Sequence, residues 1–233
     1  KPICMLVVVS LDKSLTDGNT KGFLTLSEGL KELHNELYRK KIPVIIAYEG
    51  WDAAGKGGNI KRITEALDPR GYEVHPIASP EPHENQDITF GDSGTGFQRQ
   101  DTLQFLTGPG MDGFWLNVLR VFAVSMTGRE PMLDLLFEKA LSDWGAIIVK
   151  FWVQIDKDTQ LARFKEREYT PEIRWKITDE DWRNREKWDS YEEAVNEMLE
   201  KTNTSYAPRH ILESNDKKYA RIKALKTVIE AIE

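Results

Sequence analysis

Residues 43–63, Pro-Val-Ile-Ile-Ala-Tyr-Glu-Gly-Trp-Asp-Ala-Ala-Gly-Lys-Gly-Gly-Asn-Ile-Lys-Arg-Ile, constrain this chain more than any other stretch. An apolar, β-branched run (Val44, Ile45, Ile46, Ala47) meets Gly50, and after four residues come Gly55, Lys56, Gly57 and Gly58. Ile60, Ile63 and Leu67 then recur at helical spacing. The pattern predicts strand, glycine-flanked loop, helix. Glycines at both ends of such a loop let successive backbone N–H groups turn inward around an anion, and the helix adds its partly positive N-terminus. Gly50, Ala53, Ala54, Gly55, Lys56, Gly57 and Gly58 are therefore the candidate phosphate cradle, with Lys56 as its mobile point charge. Lys61 and Arg62 follow within two turns and extend the candidate grip along a longer row of phosphates. An ordinary glycine-rich turn with a solvated lysine is the bland alternative.

One position departs from the common phosphate loop. Gly57 stands where a Ser or Thr hydroxyl ordinarily holds Mg²⁺. Asp52, an acid inside the loop, is the candidate replacement, because a carboxylate beside phosphate calls for a cation between them. A loop carboxylate that merely accepts local N–H bonds is the alternative.

The segment Glu49-Gly-Trp-Asp-Ala-Ala-Gly-Lys-Gly-Gly58, continuing to Leu67, resembles the Walker A region of the family-2 polyphosphate kinases. The likeness runs on through Arg70–His83 and resumes from about Phe137. It implies a three-layer α/β P-loop kinase fold, a mainly parallel sheet with helices on both faces and a helical lid. It also implies phosphoryl transfer between inorganic polyphosphate and a nucleoside mono- or diphosphate, with Mg²⁺ at Asp52 and Asp52, Lys56 and Arg174 as catalytic groups. Assembly as a dimer or tetramer is a further implication.

The 233 residues, 40% of them hydrophobic, suffice for one sizeable α/β core, so one domain over 1–233 is expected. Its N-terminal arm and first helix would span about 1–40, and its lid about 108–140 and 163–180. Cys4 is the one cysteine, which excludes an internal disulfide and a Cys-rich metal site and suits a cytoplasmic location. The apolar run near residue 5 is too short to span a bilayer. A net charge of −6 argues against bulk affinity for nucleic acid or an anionic membrane, so a polyanionic substrate needs a local basic track.

Along the chain, residues 10–22 read as loop, and Leu26, Leu30, Leu33 and Leu37 predict an amphipathic helix ending near Lys40. Tyr72–Ile77 reads as a strand, with His75 a strand histidine, while His83 lies where substrate crevices form. Residues 85–136 do not follow the family pattern, which has a strand there ending in Asp-Arg. Leu103–Leu106 and Val118–Val124 are the candidate strands. The first ends in Thr107, leaving Asp52, Asp101 and Asp112 as candidate metal carboxylates.

From Ala146 a long apolar strand returns, and Asp156 caps a helix on which Arg163 and Arg167 share a face. With Arg174 and Lys176 they are the candidate lid cations over the nucleotide phosphates, offsetting charge in the transferred phosphoryl group. A solvated face, in which Lys165, Glu166 and Glu168 interleave, is the alternative. One long helix is expected from about Thr178, with Trp182 and Trp188 as packing anchors, then a strand at His210–Ser214 and a last helix capped by Asn215-Asp216. An ATP-dependent nucleoside monophosphate kinase and a binding module that no longer turns over are the competing functional readings.

Overall fold

The computed structural model describes residues 20–77, 101–106 and 131–233. Helix α1 (Thr20–Lys40) leads into β1 (Val44–Gly50), the loop, and α2 (Lys56–Thr64). A short 3₁₀ turn precedes β2 (Tyr72–Ile77), followed in the described chain by β3 (Asp101–Leu106), α3 (Pro131–Asp143), β4 (Ile147–Gln154) and α4 (Lys157–Tyr169). The rest is a 3₁₀ turn at Arg174–Lys176, α5 (Asp179–Glu186), α6 (Trp188–Lys201), β5 (Arg209–Glu213) and α7 (Lys217–Ile232).

The strands form one sheet in the order β2-β3-β1-β4-β5. The β-branched runs of β1 and β4 pair in parallel at the centre, Ile46 opposite Val149 and Tyr48 opposite Phe151, and β5 adds in parallel to β4. Both central strands are buried on both faces, as their continuous apolar runs require. Val44, Ile46, Tyr48, Val149 and Phe151 join one core with Leu30 and Leu37 of α1 and Ala220, Leu225 and Val228 of α7. On the opposite face Lys150 meets Glu138 of α3 at 2.7 Å and donates to the Thr202 carbonyl beyond α6 at 2.8 Å. Helices thus cover both faces of a mainly parallel sheet.

Three expectations need correction. First, α1 starts at Thr20, inside the stretch read as loop, because Phe23 and Leu26 already pack on the core and extend the apolar stripe backwards. Second, Leu103–Leu106 does form a strand beside β1, but it runs antiparallel to both β1 and β2. The start of β3 rather than its end therefore reaches the carboxyl edge of the sheet. Thr102 is opposite Tyr48, and Asp101 is opposite Ile77. Third, the helix expected after Thr178 breaks at Lys187, whose N–H bonds the carbonyls of Asn184 and Arg185, and α6 begins at Trp188. Thr178 and Asp181 still form the capping box that opens α5. The arm before residue 20, His83, Val118–Val124, Asp112 and the first proposed lid stretch up to residue 130 lie outside the described residues.

Candidate phosphate site

The loop sits at the carboxyl end of β1, where a parallel sheet opens a crevice. Its shape depends on backbone that few residues adopt. Gly50 has φ +152°, and a Cβ there would lie 2.5 Å from the Val153 carbonyl oxygen, so no side chain fits. Ala53 holds a left-handed φ of +60°, an uncommon conformation for a residue with a Cβ, and Gly55 caps α2 at φ +108°. The exposed Gly57 and half-buried Gly58 then present the first turn of α2.

What holds this strained turn is a shell of polar side chains on its inner side. The buried Arg163 of α4 donates through Nη1 to the carbonyls of Ala53 and Ala54, both at 2.9 Å. Through Nη2 it donates to the carbonyls of Ser214 at 2.5 Å and Asn215 at 3.3 Å. Burial lowers its pKa, yet arginine stays charged, so these are charge-assisted bonds. Ser214, fully buried at the end of β5, donates its hydroxyl to the Ala54 carbonyl at 2.6 Å. Gln160 donates to the Asp52 carbonyl at 3.1 Å. The carbonyls of Asp52, Ala53 and Ala54 are thus satisfied from the inner side, while Ala54 N–H closes the turn onto the Trp51 carbonyl at 3.0 Å. Arg163 was expected among the lid cations; its guanidinium is instead committed to four main-chain oxygens and braces the loop.

Trp51 ties the loop to α6. Its ring stacks on Trp188 at 3.8 Å between centroids and 8° between planes, and its Nε1 donates to Gln154 at 3.0 Å. Trp188 is thus a buried anchor as expected, and Trp182 packs edge-on against Phe164 at 5.1 Å.

Lys56 Nζ donates to the Gly50 carbonyl at 2.6 Å, spanning the mouth of the loop. Asp52 is half-buried, and its Oδ2 accepts from Asn184 Nδ2 at 3.2 Å, while Tyr191 donates its hydroxyl to Asn184 Oδ1 at 3.1 Å. Burial raises the Asp52 pKa, and the carboxylate of Asp181 raises it further, against the lowering effects of Lys56, Asn184 and Arg167. A carboxylate in that position gains from a divalent cation, and Mg²⁺ takes one or two carboxylates plus water and phosphate oxygens. Asp52 with Asn184 orienting it meets that demand. Among the described residues no group of three or more acids, histidines or cysteines gathers as a fuller metal cage.

Of the remaining candidates, Arg167 lies within electrostatic reach of Asp52 and donates to the Lys176 carbonyl at 3.0 Å. Arg174 lines a cavity of about 510 Å³ with Glu168, Tyr169, Ile177, Thr178, Asp179 and Trp182. Lys176 is exposed, its ammonium 5.2 Å from the centre of the Trp175 ring. Lys61 is exposed on α2, and Arg62 pairs with Glu65 at 2.5 Å. His75 faces Glu73 at 2.8 Å on β2.

Sequence reading missed Gln154, Gln160, Asn184 and Ser214. Gln154 and Ser214 close β4 and β5 at the carboxyl edge, and that position was the available signal. It also missed Arg209, which pairs with the buried Glu49, the residue just before Gly50, and donates Nε to Thr202 at 2.5 Å.

A strand, a strained glycine loop and a helix at the carboxyl edge of a mainly parallel sheet are the arrangement of a P-loop kinase type of α/β fold. The chain belongs to the polyphosphate kinase 2 family, whose model matches residues 14–91 and 132–233. It is 44% identical over 200 residues to a polyphosphate:AMP phosphotransferase of Pseudomonas aeruginosa, covering 82% of this chain and 38% of the relative. It is 33% identical over 222 residues to ADP-polyphosphate phosphotransferase 2 of Rhizobium meliloti, covering 91% and 70%. The crystal structure of polyphosphate kinase 2 from Arthrobacter aurescens superimposes with a TM-score of 0.67 at 26% identity, over 91% of this chain and 78% of that one. The chain spans about two fifths of the length of the polyphosphate:AMP phosphotransferases it matches. No helix among the described residues is long and apolar enough to cross a membrane.

Proposed function

We propose that this chain transfers a phosphoryl group between inorganic polyphosphate and a nucleoside mono- or diphosphate, AMP or ADP to ADP or ATP. The observation that carries the reading is the loop itself, with Asp52 inside it and Gly57 in place of the hydroxyl that ATP-using phosphate loops employ. Family membership supports the same choice of donor.

Phosphoryl transfer asks for in-line placement and for dispersal of negative charge rather than covalent work by the protein. The N–H groups of Gly55 to Gly58, at the start of α2, hold one phosphate, with Ala53 and Ala54, braced by Arg163, shaping the turn. Lys56 moves from the Gly50 carbonyl to a phosphate oxygen, a short swing for a flexible ammonium. Asp52, its carboxylate fixed by Asn184, would hold Mg²⁺, and the ion when bound would supply charge neutralisation to the phosphate oxygens. Arg167 acts on that carboxylate electrostatically, and Arg174 and Lys176 close over the nucleotide phosphates from the 3₁₀ turn. A cytoplasmic homo-oligomer acting on nucleotides, without nucleic acid or membrane, belongs to the same reading.

The test supplies AMP or ADP with polyphosphate as sole donor, and separately AMP with ATP, and resolves the nucleotides by chromatography. ADP or ATP formed from polyphosphate, dependent on Mg²⁺, is the expected result. Turnover from ATP alone would replace it with an ordinary nucleoside monophosphate kinase. One observation favours a second reading, a binding module without turnover: the family match leaves out 92–131, and β3 runs antiparallel where the family strand is expected. Metal-dependent polyphosphate binding with no product in any assay would select that module.

A further inference from the structure

Helices α5 and α6 meet at the Lys187 break, and the corner they make closes on the loop. Asn184 and Tyr191 are seven positions apart, a rise of about 10 Å in an unbroken helix. The break removes that separation, and the Tyr191 hydroxyl donates to Asn184 Oδ1 at 3.1 Å. It also places Trp188, the first residue of α6, flat against Trp51 at 3.8 Å between ring centroids. Asn184 in turn donates to Asp52 Oδ2 at 3.2 Å. A second arm leaves α5 at Arg185, which donates to Gln160 Oε1 at 3.1 Å, and Gln160 donates on to the Asp52 carbonyl at 3.1 Å. Residues 184–191, with Gln160, therefore hold the Trp51 ring, the Asp52 carboxylate and the Asp52 main chain.

The chemistry of the amide gives Tyr191 its part. An ionised carboxylate accepts hydrogen bonds and donates none, whereas an amide has a donor end and an acceptor end. Asn184 must therefore turn its NH₂ to Asp52, and its oxygen then needs a donor on the other side. The Tyr191 hydroxyl is that donor. Hydrogen bonds chained in this way polarise one another, so the hydroxyl both fixes the amide and strengthens its hold on Asp52. The Tyr191 ring has separate work, since it packs against the hydrophobic core and lies 6.4 Å from the Trp51 ring. Removing the hydroxyl alone leaves that packing in place and takes away only the link to Asn184. Groups that hydrogen-bond a metal-holding side chain change metal affinity by about 10- to 100-fold when lost, and Tyr191 acts one bond further out.

We infer that Tyr191 is a positioning residue for metal binding at the loop: through Asn184 it holds the Asp52 carboxylate in the orientation that takes Mg²⁺, and the break at Lys187 is what brings it there. This rests on the proposed use of Asp52 to hold Mg²⁺. It makes the corner between α5 and α6 part of the site, although the loop that carries Asp52 lies more than a hundred residues earlier in the chain.

The experiment measures Mn²⁺ binding by electron paramagnetic resonance, since Mn²⁺ takes the same oxygen ligands as Mg²⁺. Alongside it, the Mg²⁺ concentration that gives half-maximal polyphosphate-dependent turnover is determined. The proteins are the wild type, Asp52→Asn, Tyr191→Phe, Asn184→Ala, and the double variant Tyr191→Phe with Asn184→Ala. The part of Mn²⁺ binding that Asp52→Asn removes belongs to the loop. For Tyr191→Phe the expected result is a loss of that affinity of about threefold to tenfold. The Mg²⁺ requirement rises to match, by a larger factor than any fall in the rate at saturating Mg²⁺. Asn184→Ala costs at least as much, and adding Tyr191→Phe to it costs nothing further, because the hydroxyl acts through the amide. A cooperative melt close to that of the wild type shows that Tyr191→Phe keeps the fold. Unchanged Mn²⁺ affinity in Tyr191→Phe, or losses that add in the double variant, overturn the inference and leave the proposed function standing. Mn²⁺ binding that Asp52→Asn leaves intact overturns the metal assignment and the inference together. The expected binding changes without any product from polyphosphate overturn the proposed function alone.

Discussion

Replacing Arg163 by Met separates a brace from a lid. In the structure this guanidinium serves four main-chain oxygens, two in the loop and two just after β5, and it is buried. A hydrogen bond to a charged group contributes about 1.5–3 kcal/mol on its own. Four such bonds from one side chain do not add fully, since the oxygens relax together and some regain water. Leaving buried carbonyls without a donor costs about 1–3 kcal/mol each, so a total of about 3–5 kcal/mol for the partly relaxed set is the better guide. For a chain of this size that lowers the melting temperature by roughly 6–20 °C. The assay is thermal unfolding followed by circular dichroism, with polyphosphate-dependent turnover measured well below the transition. The brace predicts that stability and transfer fall together, because Ala53 loses the contact that keeps its left-handed backbone in place. A melting temperature within about 1 °C of wild type, with transfer abolished, would show that Arg163 acts on the substrate and refute the brace.

Other outcomes follow from the same geometry. Gly50→Ala drives a Cβ into the Val153 carbonyl at 2.5 Å, and chemical denaturation should register a loss of roughly 2–4 kcal/mol; an unchanged midpoint refutes the close approach. Asp52→Asn should abolish the Mg²⁺ dependence of turnover, and an unaltered Mg²⁺ titration would place the metal elsewhere. Because burial and Asp181 raise the Asp52 pKa, the folded state binds its proton more tightly than the unfolded state. Stability should therefore fall as pH rises from the ordinary aspartate value through the raised one, and Asp52→Asn should flatten that segment of a pH-stability curve. Arg209→Met leaves Glu49 buried beside the loop without this partner, and denaturation should show a loss of about 3 kcal/mol that shrinks in a Glu49→Gln background.

Much of the fold was legible because its signals are local. The β-branched runs of β1 and β4 and the glycine spacing after β1 each sit in one short window, and each formed where expected. The direction of β3 was not legible, since Leu103–Leu106 reads the same whichever way it pairs and the decision lies in its register with Tyr48 and Val74. The break at Lys187 was hidden for a similar reason: helical periodicity continues through it, while the stacking of Trp188 on Trp51 joins residues far apart in sequence. At the site, Lys56 and Asp52 announce themselves by lying inside the motif. Arg163 does not. Its pairing with Arg167 on one helix face suggested a shared role, yet burial committed one to carbonyl oxygens and left the other on the Lys176 carbonyl, within electrostatic reach of Asp52. Asn184, Gln160 and Ser214 carry no motif at all; they matter through distances across elements.

The most direct measurement is a crystal structure of the chain with tripolyphosphate and Mg²⁺. The account predicts a phosphate on the N–H groups of Gly55 to Gly58, Lys56 Nζ moved off the Gly50 carbonyl onto that phosphate, and the metal on Asp52. A phosphate chain seated away from this loop, with Lys56 still on Gly50, would contradict it.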